Sequence, residues 1–185
     1  STCPSCGTKV VKDYNKTTKK IEAVTRCPDI NFDCKEILKE KLKHFASKDA
    51  FNIEGMGKKV IQNFWDIKMI KFPTDIFSLN FEKIKDLDGW GKLSASNLKK
   101  AINKSKNISL DKFIYSIGIR HIGQENAKLI AGYFISVKKF QSLFNSSKRK
   151  IELENLELID GMGETQINSI DIFFTNKKNI KIISS

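Results

Sequence analysis

The chain has 185 residues, 40% hydrophobic and 29% charged, the balance of a soluble globular protein with room for one domain or two small ones. No run approaches the ~18 consecutive apolar residues of a membrane span and none reads as a secretory signal, which argues against membrane-embedded functions. Thirty-three Lys+Arg against 21 Asp+Glu leave a net charge of +12, which points to a polyanionic partner, nucleic acid before a membrane surface; a Lys-rich solvated surface is the plain rival.

The chain opens on Ser1-Thr2-Cys3 without a methionine, which reads as a piece of something longer. All four cysteines follow at once: Cys3, Cys6, Cys27 and Cys34, as C-x2-C, a spacer of twenty residues, then C-x6-C. A C-x2-C turn aims two thiolates at one point, and a second close pair completes a tetrahedral Zn²⁺ site. Between the pairs, TKVVKDY and KKIEAVTR form two β-rich arms around the polar turn NKTTKK, a hairpin pattern. The expectation is one structural zinc in a ribbon over residues 1–36, with no open coordination position for a substrate. Two disulfides are the rival, in three possible connectivities. His44 and His121 stand outside this cluster in sequence and are not needed as ligands.

The amphipathic stretch CKEILKEKLKHFAS (34–47) links the ribbon to a segment, 37–185, in which one grammar recurs four times. IEGMGKKVIQNF (53–64), LDGWGKLSASNL (87–98), IRHIGQENAKLI (119–130) and IDGMGETQINSI (159–170) align on their last glycines, at intervals of 32 to 40 residues, a period typical of a repeated supersecondary unit. Counted from that glycine, positions −4, −1, +4 and +7 are apolar in every copy. Helix, tight turn, second helix is the reading, with +4 and +7 facing the first helix. The glycines permit unusual backbone angles and let ligands approach the turn's amides. A helix N-terminus then supplies free N–H groups and positive dipole, the elements of a phosphate site. The pattern resembles the helix-hairpin-helix motif, which implies a grip on the nucleic-acid backbone that reads little sequence. Four αα-hairpins packed for their own sake are the alternative.

The copies differ. Repeat one offers Gly55 and Gly57 followed by Lys58 and Lys59; repeat two offers Gly89 and Gly91 with Lys92 and the hydroxyls of Ser94 and Ser96. Repeat three replaces the first glycine by His121, keeps Gly123 and places Arg120 before them. A guanidinium at such a turn can bond phosphate through two parallel N–H groups; its rival role is a surface ion pair, for instance with Glu125. Repeat four carries Asp160 and Glu164 around Gly161 and Gly163, repulsive to phosphate, and is expected to be architectural.

Elsewhere the pattern is helical. PTDIFSL (73–79) has Thr74 as the expected N-cap, Ser109 precedes the helix LDKFIYSI, and VKKFQSLF (137–144) and ENLELI (154–159) lead into repeat four. Phe51, Phe64, Phe134, Phe173 and Phe174 suit core faces, and Trp90 the plug of repeat two. SSKRK (146–150) is either a solvated loop or an extra phosphate contact. No catalytic constellation is present: no H-E-x-x-H, no Walker loop and no clustered carboxylates. The fold class expected is mainly α, four tandem helix-hairpin-helix motifs behind a small β-hairpin zinc ribbon.

This order of parts resembles the C-terminal half of bacterial NAD⁺-dependent DNA ligases across essentially all 185 residues. The resemblance is carried by CPSCG (3–7), RCPD (26–29), HFASKDAFNIEGMG (44–57), GIRHIG (118–123) and GMGETQINSI ending in FF (161–174). The second cysteine pair is one residue wider than usual in that family, and the spacer longer. The resemblance implies an enzyme that adenylates a lysine in a K-x-D-G motif from NAD⁺, passes AMP to the 5′-phosphate of a nick, and lets the 3′-OH displace it during replication and repair. That lysine is absent: in KDLDG (85–89), Asp86 stands where it would be. The piece itself is then non-catalytic, with NAD⁺ and Mg²⁺ bound outside it. Its implied partners are nicked double-stranded DNA and the enzyme's own adenylation and OB-fold domains, with a BRCT domain also outside. A monomeric, cytoplasmic, nucleoid-associated bacterial protein follows, with no membrane partner. The alternative is a non-enzymatic repair module or nuclease subunit using the same hairpins.

Overall fold

The computed structural model describes residues 1–15 and 18–185, so Lys16 and Thr17 of the expected turn lie outside the described residues. Two antiparallel strands, β1 (Val11–Asn15) and β2 (Lys20–Arg26), form the ribbon's hairpin, in a register that sets Val11 opposite Arg26 and Tyr14 opposite Ile21. Helices follow: α1 (Lys35–Ala46), α2 (Lys58–Asp66), α3 (Phe81–Ile84), α4 (Lys92–Ser105), α5 (Leu110–Ser116), α6 (Gln124–Phe134), α7 (Val137–Phe140), α8 (Ser146–Glu157), α9 (Glu164–Thr175) and α10 (Lys177–Ser184). Mainly α behind a small sheet is therefore the observed class. Among the described residues no helix is long and apolar enough to cross a membrane.

The four repeats become α1–α2, α3–α4, α5–α6 and α8–α9, and they pack as two pairs with separate cores. Repeats one and two share a core containing Leu42, Phe45, Ile61, Phe64, Ile84 and Leu98. Repeats three and four share another containing Ile114, Ile130, Phe134, Leu156, Ile170 and Phe174. All eight residues at +4 and +7 are buried, as their helical period requires. Each fully buried Leu, Ile or Phe contributes about 1.5–3 kcal/mol over an exposed one. At −4 and −1 the burial is less uniform: Leu87, Ile159 and Trp90 are half-buried, and Trp90 stacks on Phe64 at a centroid distance of 5.5 Å. The two halves meet through Phe113, which touches both cores, and through His44, whose Nε2 lies 2.7 Å from the Tyr115 carbonyl.

Two local expectations change. Residues 73–78 form a 3₁₀ turn whose N-cap is Phe72, not Thr74: from inside the turn the Asp75 carboxylate reaches back to accept from Lys71 N and Phe72 N, each at 2.8 Å. A carboxylate accepts such bonds more strongly than a hydroxyl. Ser109 does occupy the N-cap of α5, without a side-chain bond to the helix. SSKRK is not a loop but the first turns of α8, capped by the Asn145 side chain, with Lys148 and Lys150 exposed and ENLE as the same helix's end. Within it Arg149 is buried, donating to Asp171 at 2.8 Å and to the carbonyls of Leu143 and Phe174 at 3.0 and 3.3 Å. It ties α8 to α9.

Candidate metal centre and nucleic-acid interface

The ribbon's two knuckles converge. In the first, Gly7 turns at φ 75° and its N–H donates to Cys3 O, while Cys3 N–H donates to Thr8 O, both at 2.8 Å. In the second, the buried Asp29 accepts from Asp33 N at 3.1 Å and Cys34 N at 2.9 Å through one carboxylate oxygen. That brace closes the wider C-x6-C loop. The four sulfurs of Cys3, Cys6, Cys27 and Cys34 lie within 4.8 Å of one another, with Cys3–Cys34 at 3.9 Å and Cys6–Cys27 at 3.6 Å. A tetrahedral S₄ site with metal–sulfur bonds of about 2.3 Å has edges of about 3.8 Å. The set fits a tetrahedral cation. All four cysteines are free thiols. Amides of Ser5 and Cys6 pull the Cys3 thiol down to about 7, whereas burial pushes the Cys27 thiol up to about 12. A bound cation would relieve the second cost by holding every sulfur as thiolate.

The hairpin turns repeat one geometry. The residue at the first-glycine position has positive φ in all four: 88° at Gly55, 76° at Gly89, 61° at His121 and 92° at Gly161. The following residue's N–H closes the turn, Met56 to Ile53 O, Trp90 to Leu87 O, Ile122 to Ile119 O and Met162 to Ile159 O, at 3.0–3.1 Å. A turn with a left-handed third residue favours glycine, and histidine is among the side chains that tolerate that region. The second glycine does different work. Gly57, Gly91, Gly123 and Gly163 are extended N-caps of α2, α4, α6 and α9. Any residue adopts that backbone, so conformation does not demand glycine there. Neither does packing within the chain: a Cβ at Gly57, Gly91 or Gly123 would meet nothing within 4 Å, so these helix starts lie open to an approaching ligand.

The four turns are not equivalent. Gly57 and Gly123 N–H groups meet no acceptor among the described residues, whereas Gly91 N–H donates to Ser94 Oγ at 2.9 Å and Gly163 N–H to the Gln166 side chain at 3.1 Å. Ser94 Oγ also donates to Gly91 O at 3.2 Å. Lys58, Lys59, Lys92, Arg120 and His121 are all exposed around these helix starts. Hairpins one and two open on a shared cleft of about 620 Å³ that includes Gly55, Gly89, Ser94, Lys100 and Lys104. Lys43 and the Lys58–Lys59 pair line a second depression beside it. Hairpin four instead leans on α6: Asn126 donates to Gly161 O at 3.0 Å, and a Cβ on Gly161 would come 3.0 Å from Leu129.

Arg120 pairs with a carboxylate far away in sequence, Asp13 of β1, rather than with Glu125, which binds Lys128 at 2.9 Å. Asp13 is held well below the usual carboxylate range, first by its hydrogen bonds from Arg26 and then by the charges of Arg26 and Arg120. Sequence reasoning missed Asp13, Asp29 and Lys43. Asp29, in RCPD beside Cys27, carried a local signal; the other two did not.

The helix-hairpin-helix motif profile matches residues 112–183. The chain is 56% identical over 182 residues to a DNA ligase of Pelagibacter ubique (strain HTCC1062), covering 98% of this chain and 26% of that relative. It is 43% identical over 189 residues to a DNA ligase of Wolbachia pipientis subsp. Culex pipiens (strain wPip), covering 98% and 26% respectively. Against a DNA ligase of Parvibaculum lavamentivorans the identity is 38% over 190 residues, covering 98% and 27%. The chain thus spans about a quarter of the length of the curated relatives it matches.

Proposed function

From its likeness over nearly its whole length to DNA ligases about four times longer, we propose that the chain is the part that grips nicked duplex DNA for an NAD⁺-dependent nick-sealing enzyme. The observation that carries the reading is the set of second-glycine positions, extended, bare and open at three of the four helix starts. A phosphate at such a start meets free amides, the positive end of the helix dipole and a nearby lysine or arginine. None of those contacts reads a base, so the grip is blind to sequence.

In this reading Gly55, Gly57, Lys58 and Lys59 form one phosphate contact, Gly89, Gly91, Lys92 and Ser94 a second, and Arg120, His121 and Gly123 a third. Ser94 would exchange its bond to Gly91 O for a phosphate oxygen. Hairpin four is architectural. Residues 1–36 form a ribbon around one structural Zn²⁺ held by Cys3, Cys6, Cys27 and Cys34, and residues 37–185 the grip. Bond-making belongs to adenylation and OB-fold domains of the same protein, with NAD⁺ and Mg²⁺ bound there; this piece supplies position.

The test is fluorescence anisotropy of a labelled nicked duplex against the zinc-loaded chain across a salt series. With about six phosphates contacted, affinity falls roughly a thousandfold between 50 and 200 mM salt. A flat titration, or a strong preference for one base sequence, refutes the phosphate grip.

A further inference from the structure

Three charged side chains meet where the ribbon touches the third hairpin. Asp13 receives two parallel hydrogen bonds from Arg26 across the sheet, Nε to Oδ2 at 2.9 Å and Nη2 to Oδ1 at 3.0 Å. The same Oδ2 accepts a bond from Nη2 of Arg120. Two guanidinium groups against one carboxylate leave the trio with a net positive charge.

The division of labour within it is uneven. Arg26 and Asp13 sit on paired strands and form a planar fork that needs no third member. Asp13 is thereby both charge-compensated and fixed in direction before Arg120 arrives. Arg120 gives it one nitrogen only; its Nε and Nη1 meet no acceptor among the described residues, and its side chain is 43% exposed. It lies within the Ile119–Ile122 turn, directly before His121, and stands three residues before the Gly123 amide. An arginine free in solvent carries substantial rotamer entropy, part of which is lost when it grips a ligand. Tethering one nitrogen removes that freedom in advance and leaves the other two nitrogens without a partner among the described residues, the condition for preorganised binding.

We infer that Asp13 is a positioning residue: braced by Arg26, it holds the Arg120 guanidinium ready for a backbone phosphate, so that the zinc ribbon sets the strength of the third hairpin's grip. This rests on the reading of Arg120 as a phosphate ligand. Simple electrostatics argues the opposite sign, because deleting a carboxylate raises the positive potential of a DNA-facing surface and strengthens binding. The sign of the effect therefore separates positioning from field.

The experiment is a double-mutant cycle on the zinc-loaded 185-residue chain, read by anisotropy with a labelled nicked duplex across a salt series. Zinc content and thermal unfolding are recorded for every variant. Arg120→Ala is expected to weaken binding and to reduce the log–log salt slope by about 0.9, one phosphate's worth. Asp13→Ala is expected to weaken binding several-fold despite the gained positive charge, with the same loss of slope, and to add nothing in the Arg120→Ala background. Arg26→Lys keeps the charge but loses the fork, and is expected to reproduce part of the loss. If Asp13→Ala does not retain zinc and fold, Asp13→Asn is read in the same cycle. Unchanged or tighter binding by the Asp13 variant, or an equal loss with Arg120 absent, overturns the inference and leaves Arg120 as a ligand. No effect of Arg120→Ala overturns the reading beneath it.

Discussion

Gly55 and Gly161 occupy matching places at opposite ends of the helical region: φ is 88° and 92°, and each faces a leucine from the second helix of its partner repeat, Leu98 at 3.6 Å and Leu129 at 3.0 Å from a built Cβ. Gly57, two residues from the first, has extended backbone and nothing beside it. Alanine at Gly161 is expected to cost more than alanine at Gly55, because steric pressure on Leu129 adds to the left-handed strain, itself about 1–2 kcal/mol. Alanine at Gly57 is expected to cost about 1 kcal/mol or less as an N-cap change, yet to weaken DNA binding the most. Denaturant midpoints and anisotropy on the three variants check this; a Gly57→Ala chain that binds like wild type removes the role given to open space.

Replacing zinc by Co²⁺ is expected to give the intense sulfur-to-metal charge-transfer absorption of an S₄ site, lost stepwise in single Cys→Ser variants. Chelation is expected to unfold the ribbon while leaving the two helical cores largely folded, since neither core includes a cysteine. Circular dichroism follows the helix content. Loss of all helical signal on chelation contradicts that separation.

Arg149 bonds one carboxylate and two backbone carbonyls from a buried position, so its removal leaves acceptors stranded. Arg149→Ala is expected to destabilise the chain by about 3 kcal/mol while leaving the affinity of the remaining folded protein for nicked duplex unchanged. Urea denaturation and anisotropy below the unfolding range separate the two. A loss of affinity at unchanged stability would make Arg149 itself a DNA contact.

Tyr133 donates to Glu152 at 2.6 Å, and that bond, with burial, raises the phenol above its ordinary value of 10.0. A raised folded-state value means that the unfolded chain ionises first. The stabilisation is therefore complete below about pH 10 and disappears as pH climbs through the folded value. Tyr133→Phe is expected to be less stable than wild type at pH 8, with the gap closing as pH rises beyond 10. A constant gap, measured by urea titration at stepped pH, rejects the linkage.

Much of this was legible because it is local. The α1 helix, the turn positions of all four hairpins and the buried residues at +4 and +7 follow from helical period and from where glycine is tolerated. The N-cap expected at Thr74 and the loop considered for SSKRK were misread because both decisions lie outside the local pattern. Asp75 reaches back to two amides that bare sequence does not single out, and Arg149 is drawn inward by carbonyls on other segments.

Spacing along the chain was enough to specify the four-cysteine cluster and the recurring helix–turn–helix unit, since both depend on contacts within a few tens of residues. Tertiary structure alone decided which copies pair into shared cores, that hairpin four leans on α6, and that Arg120 meets Asp13 across 107 positions. The physical reason is range. Backbone preferences and side-chain periodicity act over one or two turns, whereas an ion pair or a packed face depends on where distant segments come to rest.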